Sequence, residues 1–458
     1  MRLKFIYSSS ICINVQLRRT VWRLAIPAVI SNILYTFQNI VDTIMLGHYR
    51  TPEISLSAVG IGGMLYFLMF PLIMGVTTGG VALIARRWGE KNFEEARRVF
   101  NNLYTLLILI SLPISFFAIF YGWTLPVALG AEKDVVEQAY RYILGVFLFY
   151  PFAVFLAVYH ASLRASGDTR TPMLVDVFAN SWNVTWNYIL IFGHFGFPEL
   201  GVMGAGLATG SSYLVATILY LILQSRNKLR ITPNLLSREK IRWETVVKLF
   251  KIGVPAGIER GMWSLTSFIY TALILSVAGS LGYASFQVGL KAESLAYMPS
   301  FGFSIAATTL VGQYLGERNP EKARRAAMEA TKMCALFMSF TGAMMILIPQ
   351  YLTSLFTEDP DIIHLASIYL FLMGFTEPAL GMLFTLAGGM RGAGYTLMPM
   401  IINLTGLMGI RLGLAIVFAY PLGLGLVGIW LGMFVETFVR GVWMFLEFQR
   451  GKWAKVKV

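Results

Sequence analysis

The sequence is poor in charge. Of its 458 residues only 13% are charged and 56% are apolar, with a mean hydropathy of +0.65. Soluble globular proteins carry about 25% charged residues, so an ordinary soluble fold is excluded. Aromatic residues make up 14% of the chain without any short repeated period, which excludes a disordered or fibrous protein. The composition predicts a polytopic membrane protein.

Residues for redox, metal and enzymatic chemistry are also scarce. The two cysteines, Cys12 and Cys334, lie far apart and suit neither a disulfide framework nor a metal cluster. The four histidines lack metal-ligand spacing, and the sequence contains no HExxH, GxSxG or Walker A motif. We therefore predict no catalytic residue, no bound metal and no cofactor, and expect active transport to draw on an ion gradient.

Long apolar runs are abundant. A membrane span needs about 20 mainly apolar residues, and the chain contains twelve such runs. The alternating strands of a membrane β-barrel are not found, so an all-α integral membrane protein is predicted. The predicted spans are 24–47, 57–84, 99–121, 142–163, 173–193, 202–224, 248–276, 283–315, 328–350, 366–388, 397–418 and 425–447.

Basic residues are distributed unevenly along these spans. Thirty-one of the 37 Lys and Arg residues fall in segments on one side, including the region of Arg440, and three fall in the opposite loops. Cytoplasmic loops are enriched in Lys and Arg, so both termini are predicted to be cytoplasmic in a multi-pass protein of the cell's inner (plasma) membrane. This distribution accounts for the net charge of +13 without nucleic-acid binding. The other three basic residues lie within spans: Arg260, Lys291 and Arg411.

The two halves of the chain are copies. Residues 89–98 (GEKNFEEARR) match residues 316–325 (GERNPEKARR) at seven of ten positions, at an offset of 227. An even number of spans in each copy preserves orientation, so parallel repeats with a cavity between them are expected. The predicted organisation is an N-terminal six-helix lobe, a cytoplasmic linker and a C-terminal six-helix lobe, for which a monomer suffices. Their boundaries are 1–223, 224–247 and 248–458.

Polar stripes run along two spans of the first half. Spacings of 4, 3 and 4 residues place each stripe on one helical face. The first stripe consists of Ser31, Tyr35, Gln38 and Asp42, and the second of Asp176, Asn180, Asn183 and Asn187. Asp42, Asn183, Asn187 and Thr209 lie at similar depth, so we expect them to meet in the outer half of the first lobe. The alternative is that they serve only as polar contacts between helices.

The second half keeps only part of this pattern. The stripe of the first span recurs at an offset of 228 as Glu259, Trp263, Thr266 and Tyr270. The stripe of the fifth span maps at an offset of 227 to mainly apolar residues, namely Asn403, Leu407, Ile410 and Leu414. The difference predicts ion coupling in the first lobe and an aromatic, apolar wall with a few acids, such as Glu377, in the second.

Several motifs together resemble the multidrug and toxic compound extrusion (MATE) family. The resemblance covers nearly the whole chain. The motifs are Pro27 with Val41-Asp-Thr43, Arg164-Ala-Ser-Gly-Asp-Thr-Arg-Thr-Pro172, Asn183-xxx-Asn187, Gly204-Ala-Gly-Leu-Ala-Thr209, and Gln287 with Val311-Gly-Gln-Tyr-Leu-Gly316. The resemblance implies a V-shaped, twelve-helix antiporter that exports amphiphilic, often cationic compounds in exchange for H⁺ or Na⁺.

The resemblance also implies roles for individual residues. The family's first-span aspartate corresponds to Asp42, and its asparagine pair corresponds to Asn183 and Asn187. Some branches carry an aspartate at the second of these positions, so Asn187 weakens the case for sodium at Asp42, Asn183 and Asn187. The predicted ion-coupling set is Asp42, Asn180, Asn183, Asn187, Thr209 and Asp176. The predicted substrate cavity is lined by Tyr35, Gln38, Glu259, Met262, Trp263, Thr266, Tyr270, Gln287 and Glu377.

A proton switch at Asp42 is the hypothesis for coupling. A carboxylate in an apolar cavity binds a proton more readily than one in water, and protonation removes the charge that holds a cationic drug. Aromatic rings and methionines such as Met262 are typical of a broad binding cavity. A lipid-linked precursor flippase of the same architecture is the main alternative, supported by Arg260, Lys291 and Arg411. An intramembrane enzyme or a passive channel is a further alternative.

Overall fold

A computed structural model describes residues 2–234 and 241–457, with side chains from residue 15 onward. Throughout this part of the chain the secondary structure is helical, with no β-strand. Helices satisfy their own backbone hydrogen bonds, which is what a chain crossing lipid requires. The all-α prediction is confirmed. Residues 235–240 of the predicted linker lie outside the described residues, and so does the side chain of Cys12.

The first half of the described chain contains eight α-helices. They are α1 (Arg2–Gly47), α2 (Pro52–Gly89), α3 (Phe93–Tyr121), α4 (Thr124–Ala128), α5 (Lys133–Phe147), α6 (Tyr150–Ala165), α7 (Arg170–Phe192) and α8 (Val202–Ser225). Helices α5 and α6 bend by 49° at a short break and together have the length of one span.

The second half of the described chain also contains eight. They are α9 (Trp243–Gly316), α10 (Pro320–Leu347), α11 (Pro349–Ser354), α12 (Pro360–Gly374), α13 (Glu377–Gly392), α14 (Leu397–Leu404), α15 (Leu412–Ala419) and α16 (Gly425–Gln449). The 74-residue α9 breaks at Gly279, whose φ of 61° and ψ of −157° are accessible to glycine. A π-helical turn, Thr405–Arg411, joins α14 to α15.

Within the described residues these helices account for twelve spans. Eight continuous helical segments are long and apolar enough to cross a membrane, and the bent pairs α5–α6 and α12–α13 add one span each. The break at Gly279 divides α9 into two spans. Helix α7 is the twelfth, with 23 residues and a polar stripe that lowers its hydropathy.

The duplicated sequence folds in the same way in both halves. Asn92 caps α3 by accepting a hydrogen bond from the Glu95 backbone N–H at 3.1 Å, and Asn319 caps α10 through the Lys322 N–H at 2.9 Å. The residue before each cap, Lys91 or Arg318, has a positive φ. A side-chain oxygen at this position satisfies an N–H that the helix leaves free.

The chain forms two compact units. The first unit is Ile30–Gly257, and the second unit is Met1–Val29 together with Ile258–Val458. Helix α1 therefore begins in the second unit and ends in the first, while α9 begins in the first unit and ends in the second.

Close packing of α8 sets the interior of the first unit. A Cβ added to Gly204 would lie 2.6 Å from the Leu190 backbone of α7, and one added to Gly206 would lie 2.7 Å from the Tyr142 carbonyl oxygen of α5. Small residues allow such backbone approach in membrane helices. As a result, polar side chains further along α8, beginning with Thr209, lie against α7.

Candidate functional site

The centre of the candidate site is the carboxylate of Asp42, near the end of α1. The side-chain nitrogen of Asn187, on α7, donates a hydrogen bond to Asp42 Oδ1. Asn187 is fully buried, and its own Oδ1 has no hydrogen-bond partner among the described residues. The site therefore contains a carboxylate and a buried amide oxygen that is free to accept a hydrogen bond or a cation.

Asn183, one turn before Asn187 on α7, completes the contact between three helices. Its nitrogen and oxygen are distinguished only by their neighbours. Both are satisfied when Nδ2 faces Asp42 Oδ1 at 3.1 Å and Oδ1 accepts from the Thr209 N–H at 3.3 Å and hydroxyl at 3.2 Å. Gln38 Nε2 lies 3.2 Å from the same amide. The structure thus brings together Asp42, Gln38, Asn183, Asn187 and Thr209.

In the part of the chain that the structure describes, no basic side chain neutralises this carboxylate. Among the described residues Asp42 forms no ion pair, and its hydrogen-bonding neighbours are neutral amides. Asn183 and Asn187 are fully buried and Thr209 is 8% exposed. Asp42 itself is half-buried. Even partial burial of a charge without a partner is costly, so an ionised Asp42 favours the arrival of a proton or another cation.

The other two members of the predicted ion-coupling set lie elsewhere. Asp176 Oδ1 is 3.5 Å from His160 Nε2 of α6, and Asn180 Nδ2 donates to the Asp176 backbone carbonyl at 2.7 Å. Asp176 is seven residues from Asn183, about 10 Å along the helix. The expectation of one continuous set is therefore corrected, because the stripe on α7 divides between two partners, α1 and α6.

Some predicted cavity residues are accessible. Tyr35 on α1 is 52% exposed, and Trp263 on α9 is 43% exposed. Met262 and Gln287 are half-buried. An accessible aromatic ring or methionine suits an amphiphilic ligand. The exposure of these four side chains is therefore compatible with their predicted place in the substrate cavity.

Three other predicted cavity residues are packed in the second unit. Tyr270 is 2% exposed and donates its hydroxyl to the Ile429 carbonyl at 2.9 Å. Thr266 is 1% exposed and bonds back to the Met262 carbonyl, and Glu377 is fully buried. The expectation that these three side chains line an open cavity is corrected, because the face of α9 that carries Thr266 and Tyr270 packs against neighbouring helices.

The second unit also contains a buried ionic network that sequence analysis missed. Glu436, fully buried on α16, lies 2.8 Å from Arg411 Nη2 and 2.6 Å from Arg440 Nε. Arg440 Nη1 also donates to Asn403 Oδ1 at 3.1 Å. In addition to the predicted aromatic, apolar wall with a few acids, the second unit thus contains paired arginines, and Arg440 lies in this network rather than in a cytoplasmic loop. The sequence could have indicated this pair, because Arg440 follows Glu436 by four residues within a predicted span.

Glu259 belongs to a second pair in the same unit. Arg391 donates to Glu259 Oε1, and Asn403 Nδ2 donates to the same oxygen at 2.5 Å. The carboxylate is therefore already engaged by a guanidinium and an amide. This differs from Asp42, whose neighbours carry no charge.

Neither cysteines nor clustered ligands form a conventional metal site in the described residues. Cys334 is buried and free, and no group of three His, Cys, Asp or Glu side chains could hold a metal ion in this part of the chain.

Comparison with known proteins identifies the same duplication. A family described as MatE matches twice, over residues 27–189 and 255–417. The "Probable multidrug resistance protein NorM" of Thermotoga maritima is 33% identical over 447 residues, covering 96% of this chain and 94% of the relative. The "Uncharacterized transporter YisQ" of Bacillus subtilis is 27% identical, covering 93% of each chain.

Solved structures share the fold. A MOP superfamily transporter from Pyrococcus furiosus superposes with a TM-score of 0.88 at 24% identity, covering 96% of this chain and 97% of that one. A structure of MATE described as being in the bent conformation gives a TM-score of 0.86 at 25% identity, covering 96% of this chain and 98% of that one. The twelve spans and the two-lobe repeat are those of a membrane transporter.

Proposed function

We propose that this chain, which belongs to the MatE family of membrane transporters, is a secondary active antiporter. It exports amphiphilic, often cationic compounds in exchange for protons. Relatives named as probable multidrug resistance proteins support a broad range of exported compounds. These names do not favour the lipid-linked precursor flippase.

One observation carries the proposal: Asp42 is a carboxylate held by two neutral amides, with no basic partner among the residues that the structure describes. A carboxylate in a permanent ion pair has its charge balanced by the protein. Asp42 instead changes the net charge of its site whenever it gains or loses a proton. An ion-driven transporter needs a group of this kind, because only differential interaction with the ion shifts its conformational equilibrium.

The arrangement favours H⁺ over Na⁺ as the coupling ion. The amide nitrogens of Asn187 and Asn183 face Asp42 Oδ1. A hard metal cation requires several oxygen ligands. Beside the carboxylate, the described site offers it the free Oδ1 of Asn187 together with N–H donors that repel it. A proton on the other carboxylate oxygen is compatible with both donors.

The proposed cycle follows from the charge of Asp42. The ionised carboxylate attracts a cationic compound, and the accessible ring of Tyr35, two stripe positions before Asp42 on α1, contacts its apolar part. A proton arriving from outside neutralises the carboxylate and weakens cation binding, so the compound leaves. Release of that proton to the cytoplasm restores the starting state.

The same proposal extends to the protein's setting. It acts in the inner membrane with both termini in the cytoplasm, as the distribution of Lys and Arg suggests. It needs neither an enzymatic step nor a cofactor, and the internal duplication allows it to act as a monomer.

Efflux from proteoliposomes tests the proposal. A fluorescent cationic dye is loaded, and a pH gradient or a Na⁺ gradient is imposed on wild type, Asp42→Asn and Asp176→Asn. We expect uphill efflux under the pH gradient for wild type and Asp176→Asn, whose carboxylate already has His160 as a partner. Asp42→Asn should show only background leakage.

Three results would contradict the proposal. Full pH-driven efflux by Asp42→Asn would show that Asp42 is not the coupling residue. Efflux that follows only the Na⁺ gradient would replace the proton with sodium. No efflux under either gradient would reject drug antiport and renew the case for the flippase.

A further inference from the structure

A polar stripe outside the predicted one runs along the first part of α9. Its members are Arg260, Ser264, Ser267 and Thr271. Their spacings of 4, 3 and 4 residues place them on one helical face. Arg260, Ser264 and Ser267 are exposed, and Thr271 is half-buried. This face is therefore accessible along about 16 Å of helix.

Most exposed apolar residues in this part of α9 lie on a different face, with Trp263 as an exception. They include Ile258, Leu265, Phe268, Ala272 and Leu275, and Phe268 is 73% exposed. At 100° per residue the two stripes are separated by about 100° around the helix. Exposed side chains in contact with lipid are apolar, whereas a polar exposed face within a span lines water. The stripe headed by Arg260 therefore faces an aqueous region.

Arg260 has neither a hydrogen bond nor an ion pair within the described chain. The adjacent carboxylate of Glu259 is bound by Arg391 and Asn403, on a face about 100° away. Arg260 lies 17 residues after the start of α9 and 19 before the break at Gly279, near the middle of the span. The nearby Glu259 carboxylate attracts the Arg260 guanidinium but does not bind it. The hydrogen-bond donors of Arg260 are therefore free to bind an anion that enters the aqueous region.

The corresponding stripe of α1 shows that the fold does not need this charge. At an offset of 228 the equivalents of Arg260, Ser264, Ser267 and Thr271 are Asn32, Thr36, Asn39 and Thr43. They are neutral, and the last three bond to backbone carbonyls of their own helix at 2.8–3.1 Å. The positive charge is specific to the second copy.

We propose that Arg260 binds an anionic group, a carboxylate or a phosphate, on the transported compound. The planar guanidinium forms paired hydrogen bonds with such groups. Ser264, one turn further, offers a hydroxyl, and the accessible ring of Trp263 contacts the apolar part of the compound. The inference rests on the proposed transport function and narrows its substrates to amphiphiles that carry an acidic group.

A matched pair of dyes tests this directly by binding. A rhodamine with a free benzoate and its methyl ester differ only in the anionic group, and both are titrated by fluorescence polarisation into the purified full-length protein in neutral detergent. Wild type should prefer the benzoate dye. Arg260→Gln should bind the benzoate about tenfold or more weakly, since a hydrogen bond to a charged group is lost, and should bind the ester as wild type does.

Two controls separate this effect from general changes of charge or fold. Lys291→Gln removes another exposed cation from α9 and should leave both affinities unchanged. Arg260→Lys should retain part of the preference for benzoate. The inference is overturned if wild type does not bind the benzoate dye or shows no preference for it. It is also overturned if Arg260→Gln weakens both dyes equally or neither.

The anion could instead come from a lipid headgroup. Adding phosphatidylglycerol to the micelles should leave benzoate binding unchanged if the site serves the transported compound. Competition by this lipid in wild type, but not in Arg260→Gln, would assign Arg260 to lipid and overturn the inference.

Efflux assays distinguish failure here from failure of the proposed function. Proton-driven, Asp42-dependent efflux with no effect of Arg260→Gln on either dye would reject the role of Arg260 and keep the antiporter. Binding of benzoate that depends on Arg260, without efflux of either dye under any gradient, would keep the binding site and reject the antiporter.

Discussion

The two copies of the repeat differ at corresponding places in whether a charged side chain has an oppositely charged partner. In the first unit, Asp42 contacts the neutral amides of Asn187 and Asn183. In the second unit the equivalent of Asp42, at an offset of 228, is Tyr270, whose ring lies 5.8 Å from the guanidinium of Arg411. Arg411 is in turn paired with Glu436. At these corresponding places, the first copy has a carboxylate without a basic partner among the described residues, and the second has a carboxylate paired with two guanidiniums.

Backbone contacts establish which residues correspond. Gly204 approaches the backbone of Leu190 and Ile191, and Gly428 approaches that of Phe418 and Ala419 in the same way. The offset on α7 and α15 is therefore 228. Asn183 corresponds to Arg411, and Asn187 corresponds to Ala415.

This correspondence corrects the sequence alignment of the fifth span, which pairs Asn183 with Ile410 at an offset of 227. The π-helical turn Thr405–Arg411 lies between the two registers. A π turn accommodates one extra residue within a helix. The second copy therefore gains a residue before Arg411, and this shift brings an arginine, rather than an isoleucine, to the site.

The difference indicates that duplication preserved the scaffold while the chemistry diverged. A carboxylate without a basic partner responds to protons, whereas a carboxylate between two guanidiniums stays ionised and holds helices together. We therefore expect mutations in the first unit to affect coupling and mutations at the corresponding places in the second unit to affect stability.

The largest expected effect comes from introducing into the first copy the arginine that the second copy has at the corresponding position, Arg411. Asn183→Arg places a guanidinium beside Asp42, so a permanent ion pair should hold the carboxylate ionised and reduce pH-driven efflux from proteoliposomes to background. Asn180→Arg introduces the same charge one turn away, where no contact with Asp42 exists, and should retain efflux. Equal loss in both variants would contradict the comparison.

Removing the acid of the second copy should mainly cost stability. Glu436→Gln leaves Arg411 and Arg440 buried without a counter-charge, which should lower the free energy of unfolding in detergent by about 3–5 kcal/mol. Glu199→Gln breaks the exposed pair with Arg50 and should cost less than about 1 kcal/mol. If Glu436→Gln lowered the free energy of unfolding by as little as Glu199→Gln does, the buried network would not be stabilising.

The space for this network comes from a glycine in the π turn. A Cβ at Gly406 would lie 3.0 Å from Arg440 Cδ and from Glu436 Oε1, so Gly406→Ala should destabilise the protein by about 1–3 kcal/mol through overpacking. Gly413→Ala, seven residues on, meets no atom within 4 Å. Thermal unfolding should show a lower melting temperature for Gly406→Ala and no decrease for Gly413→Ala.

The smallest effect is expected at the residue that replaces Asp42. Tyr270→Phe removes one hydrogen bond, to the Ile429 carbonyl, and should lower the free energy of unfolding by about 1 kcal/mol. Proton-driven efflux should stay at the wild-type level. A change in the pH dependence of efflux in this variant would show that the second copy also takes part in coupling.

Part of the candidate site follows from residue spacing. Asp42 and Gln38 share one helical face, Asn183 and Asn187 share another, and their similar depths predict that they meet. The same reasoning placed Asp176 and Asn180 with them, because a stripe does not reveal where its partner helices change. Tyr270 was misplaced for a related reason: spacing identifies a face but not what covers it.

Hydropathy, charge distribution and self-similarity are properties of the linear chain, so the sequence alone determined the membrane class, the number of spans and the duplication. The charge state of each site was decided only by the tertiary structure. Asp42 and Asn187 are 145 residues apart, and the register of Arg411 depends on a single π turn. Whether a buried acid is neutralised depends on which distant side chains the fold brings within a few ångströms, because the interaction between charges falls with distance and solvation.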